Sequence, residues 1–212
     1  MRQSIRIVCL TALWLAAPGA MATENPHDCD NPVSSRRIAA CTELIETPDL
    51  PPSRRASAFA NRALSYSLSA RYEEAIRDYD EAIKIHPNFA VALNNRAWAY
   101  FKWGKVAEAL PDVERSLRLD PLSPHSLDTR AHIRQWQGDQ DRALRDYEAA
   151  MLLGGSRMVA LYQCGLKINQ LYSGPHDGVI RPELRQAMRM CVARGSKCDP
   201  LPPDEECREA TS

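Results

Sequence analysis

Shifting the 212-residue chain against itself by 34 positions lays Asn61-Arg62-Ala63 over Asn95-Arg96-Ala97 and then over Thr129-Arg130-Ala131. The register persists: Ala75, Ala109 and Ala143 share a column, as do Tyr79, Val113 and Tyr147, then Ala82, Ser116 and Ala150, then Ile85, Leu119 and Leu153. A period of this length constrains the fold more than any local signal, because a unit that short buries its apolar face only by stacking on its neighbours. Within a unit the spacing is helical, as in Ala75, Tyr79 and Ala82, which lie on one face of a 3.6-residue period. Small residues at such crossings let helix axes approach to about 8–10 Å while larger ones fill the space beside them. Gly104 and Gly138, with Ala70 in their column, stand where the first helix of each unit needs a left-handed stop. Pro87 and Pro121 close the first two units. Pro111 falls inside the second helix of the middle unit, where a kink costing about 3 kcal/mol is predicted.

These columns resemble the tetratricopeptide repeat family, whose pattern is a small residue and an aromatic in the first helix, then alanine, aromatic and alanine in the second, closed by proline. Tyr66 and Tyr100 fill the first aromatic column. The resemblance implies an all-α solenoid of helix-turn-helix units over 53–157, with repeats at 56–89, 90–123 and 124–157. The third departs from the pattern, with Arg134 in place of the aromatic and Gly155 in place of the closing proline, as befits a terminal unit. A degenerate half-repeat precedes the first full one within 23–52, because Ile38, Cys41 and Ile45 lie one period before Tyr72, Ala75 and Tyr79. Its helix is predicted to start at Asn31-Pro32 and to stop at Pro48.

The two ends have a different character. Residues 1–22 run from a basic start at Arg2 and Arg6 through an apolar stretch to Ala20-Met21-Ala22, the order of a secretory signal peptide with cleavage predicted after Ala22. Export implies a periplasmic or secreted bacterial protein, and its apolar stretch is too short to span a bilayer, which takes about 20 residues. Loss of the leader and its Cys9 leaves Cys29, Cys41, Cys164, Cys191, Cys198 and Cys207, an even set for which disulfides are the default in an oxidising compartment. Local pairing makes Cys29–Cys41 a staple on the N-terminal cap, with two free thiols as the alternative. No histidine accompanies the C-terminal cysteines at ligand spacing, so metal is not implied.

After Gly154-Gly155 the period vanishes. Gln163, Leu166, Tyr172, Gly174, Asp177, Gly178, Pro182 and Ala187 resemble the peptidoglycan-binding three-helix domain of bacterial wall enzymes. The resemblance implies a small helical module over 158–195 and makes Gln163, Tyr172 and Asp177 glycan-binding candidates. Glycines of the family pattern are replaced by Gln170 and Arg181, its capping threonine by Leu184, and its phenylalanine-glutamine pair by Cys191-Val192. A Cys164–Cys191 bond would tie the helices in place of that lost aromatic, and a Cys198–Cys207 bond would close the proline-rich, acidic tail of 196–212. The alternative reading of the module is a stapled cap over the open end of the solenoid.

Catalytic chemistry is not visible. The five histidines form no set with a nucleophile, no glycine-rich phosphate loop is present, and no cofactor is implied. A net charge of −2 after removal of Arg2 and Arg6 does not point to nucleic acid. Arg62, Arg96 and Arg130 recur in step with Asp78, Asp112 and Asp146, which reads as an ion pair inside each repeat rather than as a binding site, worth about 0–1 kcal/mol if partly exposed. Binding residues differ from repeat to repeat. The resemblance places the inner groove on the first helices, where the columns run Ala60, Asn94, Asp128 and Leu64, Trp98, His132, extended by Phe101, Lys102, Gln135 and Trp136. Such a mixed aromatic and polar surface suits a protein or peptide segment; equally, Trp98 and Trp136 could serve only to pack repeats together. The lysines and asparagines with which some relatives clamp chaperone C-termini are largely missing. The expectation is a non-catalytic envelope adaptor that binds a protein partner and is anchored to peptidoglycan by its C-terminal module, or else a glycan-binding accessory of a wall enzyme in which the repeats are a spacer.

Overall fold

The computed structural model describes residues 26–31, 35–201 and 207. The predicted leader, 1–22, and Pro202 to Glu206 of the tail lie outside them. All regular structure among the described residues is helical: α1 (Arg37–Glu46), α2 (Pro52–Leu68), α3 (Tyr72–Ile85), α4 (Ala90–Lys102), α5 (Val106–Leu119), α6 (Pro124–Trp136), α7 (Gln140–Ile168) and α8 (Pro182–Ala193). Helices pair as α2 with α3, α4 with α5 and α6 with α7, and each pair stacks on the next. This is the expected all-α solenoid.

The columns explain the packing. Ala63 and Ala97, Ala75 and Ala109, and Tyr79 and Val113 are fully buried, as are Ala131, Ala143 and Tyr147 one period on. Ser116 is the polar member of an alanine column, and it stays satisfied by donating to the Ala90 carbonyl at 2.8 Å while lying 2.9 Å from the Ser126 hydroxyl. The three periodic ion pairs form at 2.7, 2.6 and 2.8 Å, with both partners mostly buried, so they are worth more than an exposed pair. Arg134, the residue that displaces the aromatic of the third repeat, bonds Asp146 at 2.6 Å and doubles the guanidinium there.

Helix ends follow the glycine column. Gly104 and Gly138 take φ near +80°, and Ala70 adopts the same left-handed region at φ 56°. In each case the next amide reaches back to close the turn, as Arg71 N–H does to the Tyr66 carbonyl. One expectation needs correction. α1 begins at Arg37 rather than at Pro32, a residue outside the described set. Pro111 lies inside α5, where it denies the Ala107 carbonyl its helical partner; Ala107 is an exposed residue of the first turn, where water can take the lost bond. At Gly155 (φ 64°, ψ −162°) the backbone leaves helical geometry, so α7 is two helical stretches that meet at a kink where the 34-residue period ends.

The cysteine pattern is partly corrected. Cys29–Cys41 forms as expected, with Cα atoms 4.7 Å apart. At the other end Cys164 pairs with Cys207 and Cys191 with Cys198, in place of Cys164–Cys191 and Cys198–Cys207. The chain leaving α8 reverses at Gly195 (φ 59°) into a short 3-10 turn, Gly195–Lys197. That reversal returns Cys198 to within 5.3 Å of Cys191 and leaves Cys164 to the tail.

Candidate groove and its internal occupant

The inner columns are borne by α2, α4 and α6. Their third-repeat end is filled by the chain itself. His132, from the middle of α6, is 5% exposed. Its Nδ1 lies 2.9 Å from the Asp128 carbonyl one turn back, and its Nε2 lies 3.0 Å from Oδ1 of Asp199 in the tail. Gln135, also buried, donates through Nε2 to the carbonyls of Gly195 and Cys198, both at 2.7 Å, while its Oε1 accepts from the Tyr147 hydroxyl. Asn169, just past α7, holds the Asp199 carbonyl at 2.7 Å. The segment from Gly195 to Asp199 is thus read by side chains at three main-chain carbonyls and one carboxylate.

Aromatic rings frame this contact. Trp98, Tyr147 and, farther off, Phe101 approach the His132 imidazole edge to face, with centroids 5.3, 5.2 and 6.2 Å away. Tyr162 continues the ladder beside Tyr147 and donates its hydroxyl to Asp128. The electrostatics follow from this enclosure. Burial alone would lower the His132 pKa, but Asp128 and Asp199 more than offset it and push it up to about 9. Burial raises the Asp128 carboxyl, opposed in part by His132 and the Tyr162 hydroxyl. Asp199 resists its own desolvation because His132 bonds it and Lys102 lies nearby, so its carboxyl stays below the usual range. A protonated imidazole between two carboxylates is a fixed cation rather than a base. The arrangement therefore holds and orients an anion.

The groove residues divide accordingly. Asp128, His132 and Gln135 are buried in this internal contact, which departs from an open groove. Asn94 is buried on α4, where its amide donates to Asn95 Oδ1 at 3.3 Å and its own Oδ1 has no protein partner. Trp98 and Phe101 are half-buried and stack on each other at 5.5 Å, and exposed Lys102 lies over the Trp98 ring. Trp136 is 54% exposed, so it does not merely pack between repeats. Leu68, at 72% exposure, is the first-repeat member of the Lys102 and Trp136 column, and Val91, at 60%, lies one turn before Asn94 on α4; sequence reasoning passed over both. Asp199 was missed altogether, since nothing in the period signals a tail residue 67 positions from its partner.

The glycan candidates turn out to support the loop. Gln163 is wholly buried: its Oε1 accepts the amides of Asp177 and Gly178, and its Nε2 donates to Asp177 Oδ1 and the Val179 carbonyl. Asp177 is clasped by Arg181 at 2.7 Å, which holds its carboxyl well below the usual range. Tyr172 donates to the Pro175 carbonyl and lines an open hollow of about 440 Å³ with Ser173, Gly174, Arg181, Glu183 and Gln186. Among the described residues no cluster of three metal-binding side chains occurs, and no helix is long and apolar enough to cross a membrane.

Residues 56–89 match the Tetratricopeptide repeat family model, and residues 78–110 match a second Tetratricopeptide repeat model. No curated protein matches the chain. Among solved structures, the first tetratricopeptide repeat domain of Spaghetti (RPAP3) bound to the HSP90 peptide SRMEEVD is 28% identical over 48% of this chain and 80% of that one, with a TM-score of 0.46. Residues 56–110 are therefore similar in sequence to tetratricopeptide repeats, and the described chain is an all-helical array containing repeats of that kind.

Proposed function

We propose that this chain is an exported, non-catalytic adaptor that holds a linear segment of a partner protein against the inner face of α2 and α4. The observation that carries the reading is the exposure of Leu68 on α2 and Val91 on α4, the helix that also bears half-buried Trp98 and Phe101 near its end. Exposed apolar side chains and aromatics on these helices, with Lys102 among them, are what an interface with an apolar core and a charged rim requires. Export rests on the leader-like residues 1–22 and fits three disulfides among the described residues. A photoreactive residue in place of Val91 should yield adducts on one partner segment, lost on Trp98→Ala, whereas one in place of Leu152 on α7 should yield none. Equal yields at both positions would overturn the assignment of this face. The amino terminus of the mature protein, expected at Thr23, tests export.

A second reading is supported by the hollow beside α8. Its size suits one or two sugar units or a short stem peptide, and Ser173, Glu183 and Gln186 of its lining are solvent-facing. Sedimentation of the oxidised protein with insoluble peptidoglycan, weakened by Glu183→Ala with Gln186→Ala, would support a wall anchor or wall-enzyme accessory. A supernatant that retains all the protein would remove that reading.

A further inference from the structure

We propose that the edge formed by the ends of the first helices docks on an anionic phospholipid membrane, with Leu68, Trp136 and Ile168 entering the bilayer interface while Lys102, Lys105 and Lys197 meet its headgroups. Leu68 and Lys102 also border the groove, but docking here does not depend on the groove binding a protein. No helix among the described residues is able to span a membrane, so the contact is peripheral.

One recurring stop builds this edge. α2, α4 and α6 end at Ala70, Gly104 and Gly138 in the left-handed region, and the stretch of α7 beyond Gly155 ends the same way at Gln170 (φ 58°). The residue after each stop closes the turn with its amide: Arg71 to the Tyr66 carbonyl, Lys105 to Tyr100, Asp139 to Arg134 and Leu171 to Leu166. That last stretch is thus a further first helix. It lies beside α6, since Tyr162 bonds Asp128, and Asn169 holds the carbonyl of Asp199, whose carboxylate sits on His132. Equivalent stops bring equivalent positions to the rim. Two residues before each stop stand Leu68, Lys102, Trp136 and Ile168, and all of them are exposed, as is Trp103.

Cations stand between these apolar ends. Lys105 lies over the Trp103 ring. Lys197 belongs to the 3-10 turn whose Gly195 carbonyl is held by Gln135, the neighbour of Trp136, and Arg194 reaches the Asn169 carbonyl beside Ile168. Lys102, Lys105, Arg194 and Lys197 are exposed and form no ion pair among the described residues. The rim carboxylates Glu74 and Asp139 are paired with Arg71 and Arg142, while Glu108 and Asp141 stand in the first turns of α5 and α7, where the positive helix end offsets their charge. A protein interface gathers its apolar residues into one core. Here they are single protruding ends in a row, each with a basic neighbour whose long stem keeps its charge on the water side. Tryptophan suits the boundary between apolar and wet layers, and apolar ends with cations between them match a flat anionic interface.

The test is co-sedimentation of the oxidised chain from Thr23 onward, which keeps every residue of the described fold and lacks the apolar leader, with vesicles of phosphatidylcholine alone or mixed with phosphatidylglycerol. Binding to the anionic vesicles should be about tenfold tighter than to the neutral ones, and high salt should remove the difference. Trp136→Ser with Ile168→Ser should weaken binding about tenfold, and Lys102→Gln with Lys197→Gln should reduce the preference for phosphatidylglycerol severalfold. Leu122→Ser with Leu152→Ser, equally exposed positions near the opposite ends of α5 and of the first stretch of α7, should change nothing. Circular dichroism establishes that each variant is folded. Lipids brominated on their acyl chains should quench the tryptophan fluorescence of the wild type and much less that of Trp136→Phe, which decides the matter if the serine variant does not fold. Protein left in the supernatant with both vesicles, or equal loss in the Leu122 and Leu152 variant, overturns the proposal. Trp98→Ala separates this surface from the groove: it should abolish the Val91 adducts and leave vesicle binding intact, and failure of either assay alone leaves the other reading standing.

Discussion

Ala70 carries a conformational cost that its column makes visible. Gly104 and Gly138 end α4 and α6 at positive φ without penalty, but Ala70 ends α2 at φ 56° with a Cβ, a conformation that costs an L-residue about 1–2 kcal/mol, part of which glycine returns as unfolded-state entropy. Ala70→Gly should therefore stabilise the protein by about 0.5–1 kcal/mol in urea unfolding. Gly178 is the opposite case, with φ 70° and the Ser156 carbonyl 2.4 Å from where a Cβ would stand. Gly178→Ala should cost more than about 2 kcal/mol, because backbone must move on one side or the other. His132 gives a pH dependence. Its folded pKa of about 9 lies above the ordinary imidazole value of 6.5, so its contribution is complete below pH 6.5 and is lost as pH rises through about 9, amounting to roughly 3 kcal/mol at most. The melting-temperature gap between wild type and His132→Gln should be wide at pH 6 and should narrow above pH 9. The alanine and glycine columns were legible in the sequence because period alone fixes them. The role of His132 was not, because its partners come from Asp199 and from Tyr147 on a different helix.

At the scale of helices, the repeating Arg–Asp pairs stitch the first helix of each unit to its second, and their burial makes one-sided removal expensive. Asp146 serves two guanidiniums, from Arg130 and Arg134, whereas Arg96 retains Asp80 when Asp112 is lost. Asp146→Ala should therefore cost about 3–5 kcal/mol and Asp112→Ala distinctly less, measured by denaturant unfolding. The pairing itself was readable from two columns moving in step, but its worth was not, since a sequence does not say that both partners are largely shielded. Helix starts were harder to read than stops. Pro87 and Pro121 mark ends plainly, while the start of α1 at Arg37 depends on a buried guanidinium that bonds the Cys29 carbonyl and Asn61.

Across the whole molecule, staples lie at the two ends and the helices from Pro52 to Met151 contain no cysteine. Reduction should lower hydrogen-exchange protection first in α1 and around α8, before residues 60–150; earlier loss in the central helices would show that the ends do not act as separate clamps. The solenoid was legible because three copies of one pattern reinforce each other. The tail was not, because a segment with no period gives no hint that it folds back onto α6, and its cysteines allowed several pairings. The kink at Gly155 does not divide the apolar core, and that has a practical result. Met151, Met158, Tyr162 and Leu166 lie on both sides of Gly155 within one apolar cluster, so the chain offers no seam at which to cut. A protease or a gene truncation aimed at the Gly154-Gly155 pair would not release two folded halves; it would leave the repeats with an unhealed wound.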